Sequence, residues 1–379
     1  VNGSRCHGNE TKEFANSVHD QKGLTCVSCH SDIPAFGSKK GDKKAATLAC
    51  IKCHENQKVH LNSVHGQALM HGNPDAPGCA DCHNLHNIKK VQPASTIEGR
   101  MFHVDACVKC HEDEKMMHRN HVNPSSVETY LESYHGKGYR LGMLQKAAGC
   151  SDCHTAHKVL KKDNPESSVN PKNAAKACAQ CHSKATDLFA KFYAHGSHSD
   201  RQNYPLMYWT FKAMSGLLIG TFAVFWVHTL LWMFRGFVEN REKQKALIEG
   251  RVHHVDEPHK LYYRFKKRHI FLHFTVIVSF LGLSLTGLPL KFSDQAWAQT
   301  MMSFYGGVEY AGLIHRGCAV LTFYYFMGAL WMSIDFLFLR KDIKGNFLQR
   351  MFGPDSLMPN FRDIKDVIGM VKWFLFKGE

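Results

Sequence analysis

The sequence predicts a mostly α-helical protein, in which a loop-rich N-terminal region with short helices precedes a bundle of membrane-spanning helices. Three features of its 379 residues support this fold class. A Cys-x-x-Cys-His motif occurs six times before residue 183. Stretches rich in Gly, Asn and Pro separate the motifs, which favours loops over long helices. After residue 205, three apolar stretches of about 20 residues are each long enough to cross a bilayer.

The six motifs contain twelve of the fourteen cysteines. Two thiols three positions apart reach two vinyl groups on one haem edge, and the adjacent histidine then binds the iron. Zinc sites and disulfides also use paired cysteines, but neither requires a histidine after every pair. The motifs therefore predict six c-type haems held by Cys26, Cys29 and His30; Cys50, Cys53 and His54; Cys79, Cys82 and His83; Cys107, Cys110 and His111; Cys150, Cys153 and His154; and Cys178, Cys181 and His182.

The motifs belong to a repeated unit. Each unit opens with a Ser/Tyr-x-His element, continues through a first motif and ends with a second motif. Two units carry an additional histidine three residues after the first motif, where the first unit has Ile33. We expect the histidines at these repeated positions to be second axial ligands, which leaves the iron no open position and suits electron transfer. They are His19, His65, His86, His135, His157 and His195.

Other histidines of this region are weaker candidates, open to roles as ligands, surface residues or partners of haem carboxylates. They are His60, His71, His103, His118, His121 and His198. Cys6 and His7 precede His19 as His54 precedes His65, which predicts the end of a seventh haem motif. Gly3 occupies the first cysteine position, so either that cysteine lies upstream or the haem has one thioether, and a stray Cys-His pair is the alternative. No signal peptide is visible, and the sequence starts at Val1 without Met, so we expect a processed or incomplete chain.

The apolar stretches cover residues 213–234, 270–290 and 317–339. Lys and Arg are dense in 235–268 and after 339 but absent from 292–310, so the first two segments are predicted to be cytoplasmic and the last periplasmic. Haem c is attached outside the bacterial cytoplasm, which independently places the motif array in the periplasm and the protein in the inner membrane. We expect a domain boundary at each change of composition: 1–205 haem array, 206–238 first membrane helix, 239–268 cytoplasmic loop, 269–340 two membrane helices, and 341–379 tail with an interfacial helix over 361–376.

The formal net charge of +14 would suit a nucleic-acid partner. The two carboxylates of each haem would cancel most of it, so no nucleic acid is expected. Histidines inside membrane helices are costly and usually functional. His273 and His315 lie near opposite membrane faces, which suits two separate irons, whereas His228 is either a ligand or a packed side chain and Cys318 is structural.

Residues 268–274 and 285–292 resemble the first helix of the dihaem cytochrome b family, which includes membrane subunits of formate dehydrogenase and nickel-iron hydrogenase, and residues 313–320 resemble its second helix. The resemblance implies that His273 ligates a cytoplasmic-side haem b and His315 a periplasmic-side one. The family has two further helices with the partner histidines and much of the quinone pocket. We expect these downstream or on another subunit.

The order of parts resembles the fused multihaem c and dihaem b cytochromes of metal-reducing bacteria. This implies electron flow from menaquinol or another quinone, through the chain, to soluble periplasmic cytochromes. Reverse flow with a dehydrogenase subunit, reduction of a small oxyanion at an open haem, and a purely structural role in a larger complex stay open. The sequence does not decide whether the chain is itself an enzyme.

Haem stoichiometry tests these expectations, because covalent haem c resists acid–acetone and haem b does not. A pyridine haemochrome spectrum before and after extraction should give six or seven haems c and two extractable haems b. Haem c alone would contradict the haem b sites at His273 and His315 and reduce the membrane half to an anchor.

Overall fold

The computed structural model describes residues 7–31, 42–251, 265–341, 344–353, 356 and 358–377. It confirms the predicted fold class, being 65% helical and without strands in these residues. The α-helices are α1 (Gly8–Phe14), α2 (Cys26–His30), α3 (Lys43–Ile51), α4 (Val64–Met70), α5 (Cys79–His83), α6 (Ile97–His111), α7 (Glu114–Arg119), α8 (Ser126–Glu132), α9 (Tyr134–Arg140), α10 (Cys150–His154), α11 (Ala174–Ala179), α12 (Pro205–Ile248), α13 (Lys267–Lys291), α14 (Ala296–Phe304), α15 (Val308–Ile334), α16 (Phe347–Met351) and α17 (Phe361–Phe374).

The chain forms two compact units. The first comprises Val1–Ser197 together with Pro289–Glu309, and the second comprises His198–Leu288 together with Tyr310–Glu379. The connection between α13 and α15, which includes α14, therefore belongs with the motif array. Ala298 and Met302 of α14 are buried there.

First and second motifs adopt different local structures. The first motifs of the three units each form a single-turn helix, α2, α5 and α10. The second motifs instead stand at the C-terminal ends of longer segments, with Cys50 in α3, Cys107 in α6 and Cys178 in α11. The array thus consists of short helices that carry motifs, as the sequence predicted.

A polar residue inside each first motif caps its own helix. Asp81 and Asp152 accept hydrogen bonds from the backbone N–H of Gly78 and Gly149 at 2.8 and 2.7 Å. In α2, Ser28 accepts the corresponding bond from the Thr25 N–H at 3.1 Å. These bonds satisfy backbone donors that a helix start leaves unpaired, so a five-residue helix can form.

The helix that carries a second motif packs against the first-motif helix of the next unit. α3 lies against α5, and α6 lies against α10. A Cβ atom at Gly78 would lie 2.5 Å from Thr47 Oγ1, and one at Gly149 would lie 3.0 Å from Val104 Cγ2. Glycine before the first cysteine therefore permits the close approach between units.

In the second and third units the opening element reads Ser-x-His-Gly, and its serine and glycine fix the local backbone. Ser63 and Ser133 accept hydrogen bonds from the N–H of Gly66 and Gly136 at 3.0 and 3.2 Å, which begins α4 and α9. A Cβ atom at either glycine would overlap the backbone of the preceding turn. Serine and glycine thus fix the backbone on both sides of the histidine between them.

Three helices are long and apolar enough to cross a membrane: Pro205–Ile248, Lys267–Lys291 and Val308–Leu339. α12 continues well past the predicted segment end at residue 238, so the first part of the predicted cytoplasmic loop is helical. Residues 252–264 of that loop lie outside the described residues. Small residues bring α13 and α15 together, because Gly282 faces Cys318 and Gly328 faces Leu272.

The tail helix α17 packs against α12. Arg235 donates a hydrogen bond from Nε to the Trp373 carbonyl at 3.1 Å, and its guanidinium stacks over the Trp373 ring. The Trp373 indole donates to Glu239 at 2.8 Å. The predicted amphipathic tail helix is therefore attached to the first membrane helix through its aromatic end, while Ile364 and Val367 of the same helix stay half-exposed.

Two equivalent ion pairs join successive units in different environments. Arg100, seven positions before Cys107, is 7% exposed and pairs with Asp152. Lys43, seven positions before Cys50, pairs with Asp81 at 3.3 Å, and both side chains are more than a third exposed. Arg100 Nε is buried without a protein partner, so the guanidinium depends on Asp152 for compensation.

Replacing each aspartate by asparagine should distinguish the buried ion pair from the exposed one by the loss of stability. Asparagine still accepts the capping bond but removes the charge. Asp152→Asn strands a buried guanidinium and should cost about 3 kcal/mol, whereas Asp81→Asn breaks an exposed pair worth about 1 kcal/mol or less. Chemical denaturation followed by far-UV circular dichroism measures both. Equal losses would show that the Arg100 pair is not specially buried in solution.

Candidate haem and electron-transfer sites

Each of the six motif histidines faces one histidine from the repeated positions. The ring centroids of the six pairs lie 6.0–6.4 Å apart. The pairs are His19–His54, His30–His86, His65–His111, His83–His157, His135–His182 and His154–His195. The structure thus brings every predicted second ligand of the array opposite one motif histidine.

This spacing fits an iron between the rings. An iron bonded at about 2 Å to one nitrogen of each ring, with each ring centre about 1.1 Å behind that nitrogen, needs centroids roughly 6.2 Å apart. Direct ring stacking would give shorter distances, and unrelated histidines would give scattered ones. The donor set of two thiols and two imidazoles at each site therefore fits a covalently held haem.

The pairs follow a rule that links the units. A second-motif histidine faces the histidine of its own unit's opening element, as His54 faces His19. A first-motif histidine instead faces the additional histidine of the next unit, as His30 faces His86 and His83 faces His157. His154 has no such unit after it and faces His195.

Backbone contacts hold these cross-unit pairs in place. The N–H of Val18 donates to the Ile88 carbonyl at 2.9 Å, and the N–H of Val64 donates to the Val159 carbonyl at 2.9 Å. Each bond joins an opening element to the residue two positions beyond the next unit's additional histidine. The same junction is therefore built twice.

A strained residue directs each additional histidine. Asn84 and Thr155, directly after the first-motif histidine, have positive φ angles of 65° and 62°. Such angles are costly for residues other than glycine and cluster at functional positions. The first unit lacks the additional histidine, and its equivalent residue Ser31 is helical with φ −59°. The strained turn thus occurs where a histidine follows it.

Burial favours the neutral form of seven paired imidazoles, which is the form that binds a metal. Burial, and to a lesser extent the neighbouring His111 imidazole, lower the pKa of His65 to about 4. Burial is also the largest cause that lowers the pKa of His83, His111, His135, His154, His157 and His195.

Consecutive motifs are also neighbours in space. The Cys50 and Cys79 thiols lie close enough to shift each other's pKa, and so do the Cys107 and Cys150 thiols. The remaining neighbours lie close enough for their charges to interact: Cys29 with Cys50, Cys82 with Cys107 and Cys110, and Cys153 with Cys178 and Cys181. The six sites therefore follow one another in chain order.

The weaker candidate histidines lie outside the ring pairs. His71 Nδ1 lies 2.6 Å from the Gln67 carbonyl, and His103 Nδ1 lies 2.5 Å from Ser151 Oγ. The His198 ring stacks on Phe211. His60 Nε2 is buried without a hydrogen-bond partner. Repetition, which these positions lack, is the signal that separates them from the paired set.

The proposed seventh site is only partly visible. Cys6 lies outside the described residues. His7 precedes α1, and its carbonyl accepts hydrogen bonds from the N–H and hydroxyl of Thr11. None of the histidine ring pairs in the described residues includes His7.

In the membrane unit, His315 has a defined partner. Its Nδ1 lies 2.8 Å from Thr286 Oγ1 on α13, and the ring edge lies beside Gly287. His273 lies thirteen positions before Thr286, about 20 Å along an α-helix. The two histidines therefore occupy opposite ends of the α13–α15 pair. His228 Nε2 contacts Met370 Sδ of α17 at 3.3 Å, so its ring packs between α12 and α17.

Comparison with known proteins supports the array. Residues 18–96 match the cytochrome c3 family model. Over 187 residues the chain is 25% identical to dissimilatory sulfite reductase MccA of Wolinella succinogenes, a match that covers 46% of this chain and 24% of that protein. Over 120 residues it is 27% identical to cytochrome c-type protein NrfB of Haemophilus influenzae, covering 25% of this chain and 46% of that protein.

The chain thus spans less than half the length of either relative. No solved structure matches significantly. The family match begins within the first opening element and ends just before α6, so it includes three of the six motifs. The chain therefore carries a cytochrome c3-type multihaem domain and is distantly related to multihaem cytochromes.

Proposed function

We propose that this chain carries electrons between the quinone pool and soluble periplasmic cytochromes, anchored in the bacterial inner membrane with its haem array in the periplasm. The observation that supports this most is the set of six histidine pairs at 6.0–6.4 Å. When bound, the haems would take up and release single electrons. Each pair would close both axial positions of its iron, which suits electron transfer.

Under this proposal each chain segment has a defined task. The motif cysteines hold the haem edge, and the motif histidine and its facing histidine ligate the iron. Cys6 and His7 belong to a seventh site. The six sites with facing histidines follow one another in chain order and give one linear route between the His30 and His182 sites.

The membrane unit supplies the link to quinone. His273 and His315 would each ligate a haem b, and their separation along α13 suits one site near each membrane face. Their second ligands and most of a quinone pocket would come from a further segment or subunit. The array shares its compact unit with Pro289–Glu309, and residues 292–310 contain no Lys or Arg. This supports a periplasmic position for both.

We favour flow from quinol to the periplasm, with electrons entering the array near His182 and leaving at its other end. The reverse flow, from a periplasmic dehydrogenase subunit to quinone, uses the same groups. A reductase of a small oxyanion is less well supported, although one relative is a sulfite reductase. Such chemistry needs an open iron position, and all six intact motif histidines have a facing ring.

The axial assignment predicts a specific loss. His65→Ala removes the ring facing His111 and should convert one haem c per protein from low-spin to high-spin, since one axial position opens. His71→Ala is the matched control, because His71 caps the same helix α4 and its Nδ1 lies 2.6 Å from the Gln67 carbonyl. Electron paramagnetic resonance and the absorption spectrum measure the spin state. A low-spin spectrum in the His65 variant would contradict the assignment.

Quinol oxidation tests the membrane link. Anaerobic addition of a reduced naphthoquinone to the purified protein with its co-purifying subunits should transfer electrons to the c haems. The absorption bands of reduced haem c should then appear. His315→Ala should lose this reaction while dithionite still reduces the array. Failure of the wild type to react with quinol, with dithionite reduction intact, would favour a structural role. Rapid oxidation of the reduced array by quinone, without the forward reaction, would favour reverse flow.

A further inference from the structure

Thr286 lies at the centre of a directional hydrogen-bond arrangement in the membrane unit. Its Oγ1 is 2.7 Å from the Gly282 carbonyl, 3.3 Å from the Leu283 carbonyl and 2.8 Å from His315 Nδ1. The Thr286 hydroxyl donates its single proton to the Gly282 carbonyl, which can only accept. Toward His315 the hydroxyl oxygen must accept, and the proton between them therefore belongs to His315 Nδ1.

This arrangement decides which ring nitrogen is free. A neutral imidazole carries one proton, so a protonated Nδ1 leaves a lone pair on Nε2. Thr286 is 5% exposed, so water does not compete for the bond. The ring lies against α13 beside Gly287, where a Cβ would be in ordinary contact at 3.5 Å from His315 Cε1. The ring is therefore fixed in both tautomer and orientation.

The same arrangement occurs in the haem array. Thr129 Oγ1 lies 2.6 Å from the Ser125 carbonyl, 3.2 Å from the Ser126 carbonyl and 3.1 Å from His195 Nδ1. Thr129 is 4% exposed. By the same reasoning His195 Nδ1 carries the proton and Nε2 is free, with the Ser126 backbone carbonyl as a second acceptor for the ring. The His195 ring faces His154 at 6.2 Å.

We propose that Thr129 and Thr286 are positioning residues that fix the tautomer of His195 and His315 and present Nε2 of each as an iron ligand. This rests on the ligand roles in the proposed function. Metal-bound histidines commonly donate their second N–H to a nearby acceptor, which orients the ring and raises its basicity. A more basic ligand favours the oxidised iron, so each hydroxyl lowers the reduction potential of its site.

The membrane arm of the test compares Thr286→Val, Thr286→Ser and Thr275→Val in the full chain. Thr275 is the matched control, because it is a buried threonine on α13 whose hydroxyl donates only to the Phe271 carbonyl. Spectroelectrochemical titration should show an upward shift of one haem b potential in Thr286→Val. Thr286→Ser and Thr275→Val should stay at the wild-type value.

The array arm compares Thr129→Val and Thr129→Ser with Ser126→Ala, which removes a hydroxyl on α8 that bonds the Asn123 carbonyl. Thr129→Val should change the g values of one low-spin haem c signal in electron paramagnetic resonance. Thr129→Ser and Ser126→Ala should leave all signals unchanged.

The two arms separate failure of this proposal from failure of the ligand assignments. Haem b present with equal potentials in Thr286→Val and Thr275→Val would overturn the Thr286 role alone. Wild-type protein without extractable haem b would overturn the His315 ligand role and the Thr286 role together. An unchanged Thr129→Val spectrum, with the His154 site still low-spin, would overturn the role of Thr129.

Discussion

The array depends on one constraint, which is that pairs of imidazole rings are held about 6 Å apart by segments from different parts of the chain. A Cys-x-x-Cys-His motif by itself supplies only one of the two imidazole rings of a pair. The second ring of each first motif comes from a later segment, as His86 does for His30. Each site is therefore complete only when two segments have docked, and the cross-unit bonds from Val18 and Val64 make that docking reproducible.

Much of this was predictable from the sequence, because both the motifs and the surrounding residues repeat. Repetition identified His19, His65 and His135 as one class and His86 and His157 as another, and these are the rings that face motif histidines. The partner of each ring was not predictable, since a repeat in sequence does not say whether units pair within or across their boundaries. The strained turns at Asn84 and Thr155 were also hidden, because neither residue type demands a positive φ.

The membrane half shows a different limit of sequence reasoning. The length of the apolar stretches predicted three helices that could span a membrane. The sequence did not predict what each histidine in these helices contacts. His228 lies within the first apolar stretch and His315 two residues before the third, and neither position tells what the ring contacts. In the structure, His315 Nδ1 lies 2.8 Å from the Thr286 hydroxyl, whereas His228 Nε2 lies 3.3 Å from Met370 Sδ. The contact made by the second nitrogen, which depends on a neighbouring helix, separates a ligand-like histidine from a packed one.

The facing histidines also affect how the similarity to a sulfite reductase is interpreted. Motif spacing is shared by any protein that attaches haem c, so similarity across such a segment reflects attachment more than chemistry. Substrate reduction requires an iron with one protein ligand removed, and that depends on the facing residue. In this chain the facing residue is a histidine at all six intact motifs; two pairing rules account for five of them, and His195 faces the sixth, His154. At these six motifs, substrate reduction would therefore need the loss of a facing ring, a change in the repeat that leaves every motif intact.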